Sequence, residues 1–246
     1  MRKRVRRIMR FGGHYLSSAR AWNQTSPVKV GRLQLIRQFP RWYHCLQIDG
    51  NALTLQKPWI PFVATDWLAR NLQRDWRVFE WGIGGSTLFL VSKVETVVSI
   101  EHQHIWYETA REAVLSRHAS NWKGFLIEAE PGSQQECADP SDWNGAASSD
   151  PSSKGYSFRK YVETIDRYPD SSFDLILIDG RSRPACFKHA LPKLKIGGVI
   201  LWDDTDRLSY KKALANTPKS FKIKHLAGPC PHLKSFFQAS LIQRMA

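Results

Sequence analysis

From Arg77 onward, short apolar runs alternate with longer stretches in which apolar residues recur every three or four positions. The runs RVFEW (77–81), ETVVSIE (95–101), WKGFLIEAE (122–130), FDLILIDG (173–180), GGVILWDD (197–204), FKIKHLAG (221–228) and SFFQASLIQRM (235–245) read as strands. Between them, HIWYETAREAVLSRHA (104–119), FRKYVETIDRY (158–168) and RPACFKHALPKLK (183–195) read as helices. Upstream, PWIPFVATDWLARNL (58–72) predicts a helix entered through Pro61, whose missing N–H is no loss in a first turn. Strands alternating with helices of this length predict βαβ units and a parallel sheet. DLILI and GVILW are apolar at successive positions, as expected of central strands covered on both faces. The last two runs are separated by PCPHLK (229–234), too short for a parallel crossover, so they are expected to pair antiparallel as a hairpin.

One segment breaks the rhythm. Residues 131–155 are rich in Ser, Gly, Pro, Asp and Ala, which predicts a long surface loop inserted between the third strand and its helix. Residues 51–246 are expected to form a single domain carrying this loop. Residues 1–50 show no clear periodicity and are expected to form a basic, partly disordered arm. The net charge of +14 belongs to that arm: residues 1–48 hold eleven Lys or Arg and no acid, whereas the rest of the chain carries 25 basic and 22 acidic side chains. Within the arm, Val5, Ile8, Met9 and Gly12 share one helical face amid Lys and Arg. Such a segment suits contact with an anionic membrane or with nucleic acid, or service as an organelle presequence.

No apolar run reaches the roughly 18 residues of a membrane span. The four cysteines are spaced too widely for a zinc site and too sparsely for a disulfide scaffold, so free thiols and a cytoplasmic location are expected.

Candidate chemistry gathers at EWGIGGST (80–87), which follows the first strand and opens a helix. Gly82 suits a tight turn, Gly84 and Gly85 leave bare backbone for a ligand, and Ser86 or Thr87 begins the helix. A dinucleotide fingerprint wants Gly or Ala where Thr87 stands, which argues against NAD. Glu101 closes the second strand 21 positions after Glu80, where a carboxylate can accept both hydroxyls of a ribose. Asp179 closes the fourth strand, and Asp203 and Asp204 close the fifth. Apolar strands that end in Glu80, Glu101, Asp179, Asp203 and Asp204 point to a site beyond one edge of the sheet.

With those motifs in hand, the chain resembles the class I S-adenosylmethionine-dependent methyltransferases. Their first motif, E/D-x-G-x-G, matches Glu80, Gly82 and Gly84, with Ser86 where many members have a further Gly. The family's second-strand acid matches Glu101. PWIPFVATDWL, FEWGIGGST, VVSIEHQHIWY, FDLILIDGRSR and GGVILWDD resemble a group of small methyltransferase-like proteins, over residues 58 to 245.

The resemblance implies a Rossmann-like, doubly wound, mostly parallel seven-stranded sheet ending in an antiparallel C-terminal hairpin strand. It further implies S-adenosylmethionine as cofactor. Gly82, Gly84, Gly85 and Ser86 would lie along it, Glu80 would face its amino group, Glu101 would hold the ribose hydroxyls and His102 would stand near adenine. Asp179 would sit beside the methionine moiety or the acceptor and, with Asp203, would be catalytic. In catechol-type members, acids at the places of Asp179, Asp203 and Asp204 bind a divalent cation, which makes Mg²⁺ a minor alternative here.

Arg181 and Arg183 are candidates to clamp an anionic acceptor, or to pair with the neighbouring acids. The expected activity is O-methylation of a small-molecule or glycan-type acceptor. The rival readings are a non-catalytic scaffold and an RNA methyltransferase using the basic arm.

Overall fold

The computed structural model describes residues 2–48 and 50–246, with side chains from residue 9. In chain order the elements are α1 (Arg2–Thr25), α2 (Arg32–Cys45), the one-turn α3 (Ala52–Leu55), α4 (Phe62–Asn71), β1 (Arg77–Trp81), α5 (Gly85–Val91), β2 (Thr96–Glu101), α6 (His104–Leu115) and β3 (Trp122–Leu126). Then come β4 (Glu130–Pro131), β5 (Tyr156–Ser157), α7 (Arg159–Glu163), β6 (Phe173–Ile178), α8 (Arg183–Lys193), β7 (Leu194–Trp202), α9 (Leu208–Ala215), β8 (Phe221–Pro229) and β9 (Phe236–Arg244).

Seven strands form one sheet in the order β3-β2-β1-β6-β7-β9-β8. Pairing is parallel from β3 through β7, and β9 runs antiparallel to both β7 and β8. The expected mostly parallel sheet and terminal hairpin are therefore present. Successive side chains of each central strand serve opposite faces. Phe79, Ile176 and Ile200 meet α7 and α8 residues such as Tyr161 and Phe187 on one side. Val78, Leu175 and Leu201 meet Ile60 and the α4 residues Ala64 and Leu68 on the other. Strand order reverses between β2-β1 and β6-β7, which opens a crevice beyond the carboxyl ends of β1 and β6.

Three segments depart from the sequence reading. Residues 2–48, expected as a partly disordered arm, are two helices, and from residue 9 onward they are seated on the sheet. Tyr15, Ala19, Val30 and Trp42 form a core cluster with Phe62, Ala227 and Phe236. Gln34 Nε2 donates to Ala227 O at 2.7 Å and Trp42 Nε1 to Leu233 O at 2.7 Å. Long-range aromatic packing supplied the order that local periodicity did not announce. The shared face of Val5, Ile8, Met9 and Gly12 lies partly outside the described side chains.

Residues 131–155 are a loop, but a fastened one: β4 pairs with β5 at its base, and Ala146 and Ala147 are buried. The expected strand 122–130 stops at Leu126, because Glu130 and Pro131 turn away to form that base. Helix α9 had no counterpart in the sequence reading.

Candidate functional site

The site is built on Glu80, at the fourth position of β1. Its carboxylate is fully buried behind the glycine turn, where Oε1 accepts from Thr87 Oγ1 at 2.5 Å and Ser99 Oγ at 2.7 Å. Trp122 Nε1 donates to Ser99 Oγ, and Gly84 N donates to Thr87 Oγ1. Glu80 thereby ties β1, β2, β3 and the start of α5 into one hydrogen-bonded unit. Its Oε2 has no partner, and burial raises its pKa to about 7 against the pull of the hydroxyls. Thr87, which breaks the dinucleotide fingerprint, is thus the clasp of the turn.

The glycines divide the work. Gly82 holds a positive φ of 98°, and a Cβ there would press on the Asp179 backbone at 3.0 Å, so β1 and β6 approach too closely for a side chain. Gly84 faces open space, with only a Trp106 ring carbon 3.9 Å from where a Cβ would stand. Gly85, expected to cradle a ligand, lines the adjoining cleft and also abuts the carbonyl oxygens of Ala52 and Lys57, where a Cβ would collide with both. The backbone before α4 by itself requires glycine at 85.

These turns border a cleft of about 310 Å³ whose wall includes Gly82, Gly84, Ser86, Glu101, His102 and Asp179. Glu101 is 3% exposed, and its Oε1 accepts the backbone N–H of His102 (2.7 Å) and Gln103 (2.9 Å), while Oε2 accepts that of Ile83 (3.2 Å). Three backbone donors fix the carboxylate and leave one of its four acceptor positions, on Oε2, free. His102 Nδ1 lies 2.7 Å from Glu101 Oε1 but off the line of a hydrogen bond, and its Nε2 accepts from Arg181 Nε at 3.3 Å. Arg181 in turn pairs with Asp150 at 2.8 Å, which anchors the 131–155 loop at the cleft.

The remaining acids separate. Asp179 lines the cleft with its side chain 27% exposed; burial pushes its pKa up, although the Arg183 guanidinium 3.0 Å away pulls it down. Asp203, expected to be catalytic beside it, does not reach the cleft wall. It is 5% exposed, with Oδ1 unpartnered, and burial beside Asp179 and Asp204 pushes its pKa well above the usual carboxylate range. Asp204 pairs with Arg183 at 3.3 Å and also with Arg207.

The three aspartates thus surround Arg183, which also donates to the carbonyls of Asp179, Gly180 and Asp203. The guanidinium holds the centre that a divalent cation would need, so the donor set does not fit Mg²⁺ unless Arg183 withdraws. Among the described residues, no cluster of three or more His, Cys, Asp or Glu has metal-binding geometry. Arg183 is accordingly a partner of the acids, not a clamp. Glu80 is likewise walled off, so of the five strand-end acids the structure brings only Glu101 and Asp179 to the cleft.

The sequence reading missed Trp59 and Trp106. Trp106, two residues into α6, donates its Nε1 to Ile83 O at 2.6 Å and walls the cleft beside Gly84. An aromatic residue in the first turn of the helix that follows a strand-end acid was the available signal. Trp59 stands across the cleft, its ring 5.5 Å from that of His232 in the β8–β9 turn.

No protein-family model matches the sequence, and no curated relative matches it. Similarity is found in solved structures. The chain superposes on an O-methyltransferase from Bacillus cereus in complex with SAH over 93% of this chain and 97% of that one, with 15% identity and a TM-score of 0.51. An rRNA methylase from Streptococcus thermophilus matches over 76% of this chain and 97% of that one, with 13% identity and a TM-score of 0.51. TrmN from Thermus thermophilus matches over 79% of this chain and 52% of that one, with 14% identity and a TM-score of 0.53.

The fold is that of the class I methyltransferases. In the methyltransferase fold the strand order and the reversed β9 are the shared features, and the glycine turn and Glu101 stand at the carboxyl edge where such sheets take ligands.

Proposed function

We propose that the protein is an S-adenosylmethionine-dependent methyltransferase acting on oxygen of a small-molecule or glycan-type acceptor. The observation that carries this reading is the pairing, in one cleft at the topological switch point, of bare backbone at Gly84 with a rigidly held Glu101 carboxylate that retains an acceptor position. That pairing fits a nucleoside whose ribose donates hydroxyl protons, with Trp106 available as an apolar wall for its base.

The bound cofactor would supply a methyl group on a sulfonium, which needs little activation. The chain's own contribution is alignment and a proton acceptor. Asp179 is suited to accepting the proton, because burial raises its pKa toward neutrality, Arg183 keeps it oriented, and its exposed part faces the cleft. An oxygen acceptor has a proton to lose, and Asp179 can take it. Asp203 would act behind Asp179, sharing the Arg183 guanidinium that orients it.

Calorimetric titration with S-adenosylhomocysteine tests the reading, beside NAD and a Glu101→Gln variant. The expected result is binding of S-adenosylhomocysteine, no binding of NAD, and affinity roughly tenfold weaker in the variant. Gln keeps one oxygen for the backbone donors, so the variant should still fold. Absence of binding to either ligand would overturn the reading in favour of a non-catalytic scaffold.

A further inference from the structure

Between α1 and α2 runs an open apolar groove of about 290 Å³, formed by Gly12, Tyr15, Leu16, Leu35, Ile36 and Phe39. Helix α1 has two apolar stripes. Phe11, Tyr15, Ala19 and Trp22 face inward and belong to the core cluster with α2 and the β8–β9 hairpin. Met9 and Leu16, seven positions apart and so on one helix face, point outward at 62% and 51% exposure. Leu33 and Ile36 continue the outward surface on α2 at 60% and 71%. Leu16 and Ile36 border the groove, and with Met9 and Leu33 they make four large exposed apolar side chains on two packed helices, more than scattered surface apolarity explains. The exposed residues Arg10, Arg20, Arg32 and Arg37 belong to the same two helices. Residues 1–48 contain eleven basic side chains and no acid.

We infer that the α1–α2 face docks on an anionic lipid surface, with Met9, Leu16, Leu33 and Ile36 entering the interfacial layer and the arginines meeting lipid phosphates. Charge and apolarity together select this occupant. A second copy of the chain would bring two acid-free, strongly basic faces together. A nucleic acid would satisfy the arginines while leaving the aliphatic groove in water. An anionic bilayer rewards both, since basic side chains draw the helices to the headgroups and apolar side chains hold them there. No helix among the described residues is long and apolar enough to cross a membrane, so the contact is peripheral. The inference does not depend on methyl transfer.

Sedimentation of the full chain with phosphatidylcholine vesicles, with and without phosphatidylglycerol, tests it. Binding is expected only when phosphatidylglycerol is present, and it should fade as salt is raised. The double variant Leu16→Ser, Ile36→Ser leaves the charge unchanged and alters only exposed positions. Its far-UV spectrum and melting temperature should match the parent, while its partitioning falls about tenfold.

Unchanged binding by the variant, or no vesicle binding at all, would overturn the inference. Two further results would also overturn it. Light scattering that shows a dimer dissolved by the variant would assign the groove to a second copy. Salt-sensitive RNA binding without vesicle binding would assign the face to nucleic acid.

Discussion

Glu80 carries a buried carboxylate with one oxygen unpartnered and a pKa raised from 4.5 to about 7 by desolvation. The folded state therefore holds this proton more tightly than the unfolded chain between those two values. Stability from this residue is present in full below pH 4.5 and is lost as pH rises through 7, an effect of about 3 kcal/mol. Glu80→Gln keeps an acceptor for Thr87 and Ser99 and removes the ionisation. Its denaturant-unfolding free energy should show less fall between pH 5 and 8 than the parent's; parallel curves would contradict the buried-acid assignment. Gly85 offers a steric test at the same scale. A Cβ there meets two carbonyl oxygens that belong to backbone, so Gly85→Ala should destabilise by about 2–3 kcal/mol in urea unfolding. Gly84→Ala, facing open space, should cost less.

At the scale of elements, α8 enters through Arg183, whose guanidinium is the shared counter-charge for the strand-end acids Asp179, Asp203 and Asp204. Replacing it with Met leaves Asp179 and Asp203 without a cation while Asp204 keeps Arg207, and a loss of about 3 kcal/mol is expected at neutral pH. The deficit should shrink toward pH 4: Arg183 pulls down the pKa values of Asp179 and Asp203, so without it stability is retained when these two acids are protonated and lost as pH climbs. Thermal melts of Arg183→Met at both pH values check this. The 131–155 loop makes a smaller claim. Its Asp150–Arg181 pair is partly exposed, so Asp150→Ala should change global stability by less than about 1 kcal/mol. Limited proteolysis within 131–155 should nevertheless become faster, because that pair ties the loop to the cleft.

Over the whole molecule, α1 and α2 complete the core on the β8–β9 side of the sheet. Removing residues 1–48 would expose Phe62, Ala227 and Phe236, which now sit against Tyr15 and Trp42. The truncated protein is expected to melt at least about 10 °C lower than the full chain, or to aggregate, in scanning calorimetry. An unchanged melting temperature would mean that the helices are an appendage. The same packing links the N-terminal helices to the cleft: Trp42 holds Leu233, whose neighbour His232 lies against Trp59 at the cleft wall.

The sequence by itself determined the strands of the main sheet, its parallel part and the hairpin, because period-two and uninterrupted apolar runs are local signals and a six-residue link leaves one pairing geometry. It also pointed to the sheet edge where acids and glycines gather, which is where the cleft opens. Only the tertiary structure decided which of those acids meet solvent. Glu80 and Asp203 differ from Glu101 and Asp179 in what covers them, and the cover comes from Thr87, Ser99 and Arg183, whose part in it depends on how the strands and α8 are brought together. The same holds for residues 9–48, whose helices owe their place to Phe62, Ala227 and Phe236. Contacts across nearly two hundred positions leave no trace in local periodicity.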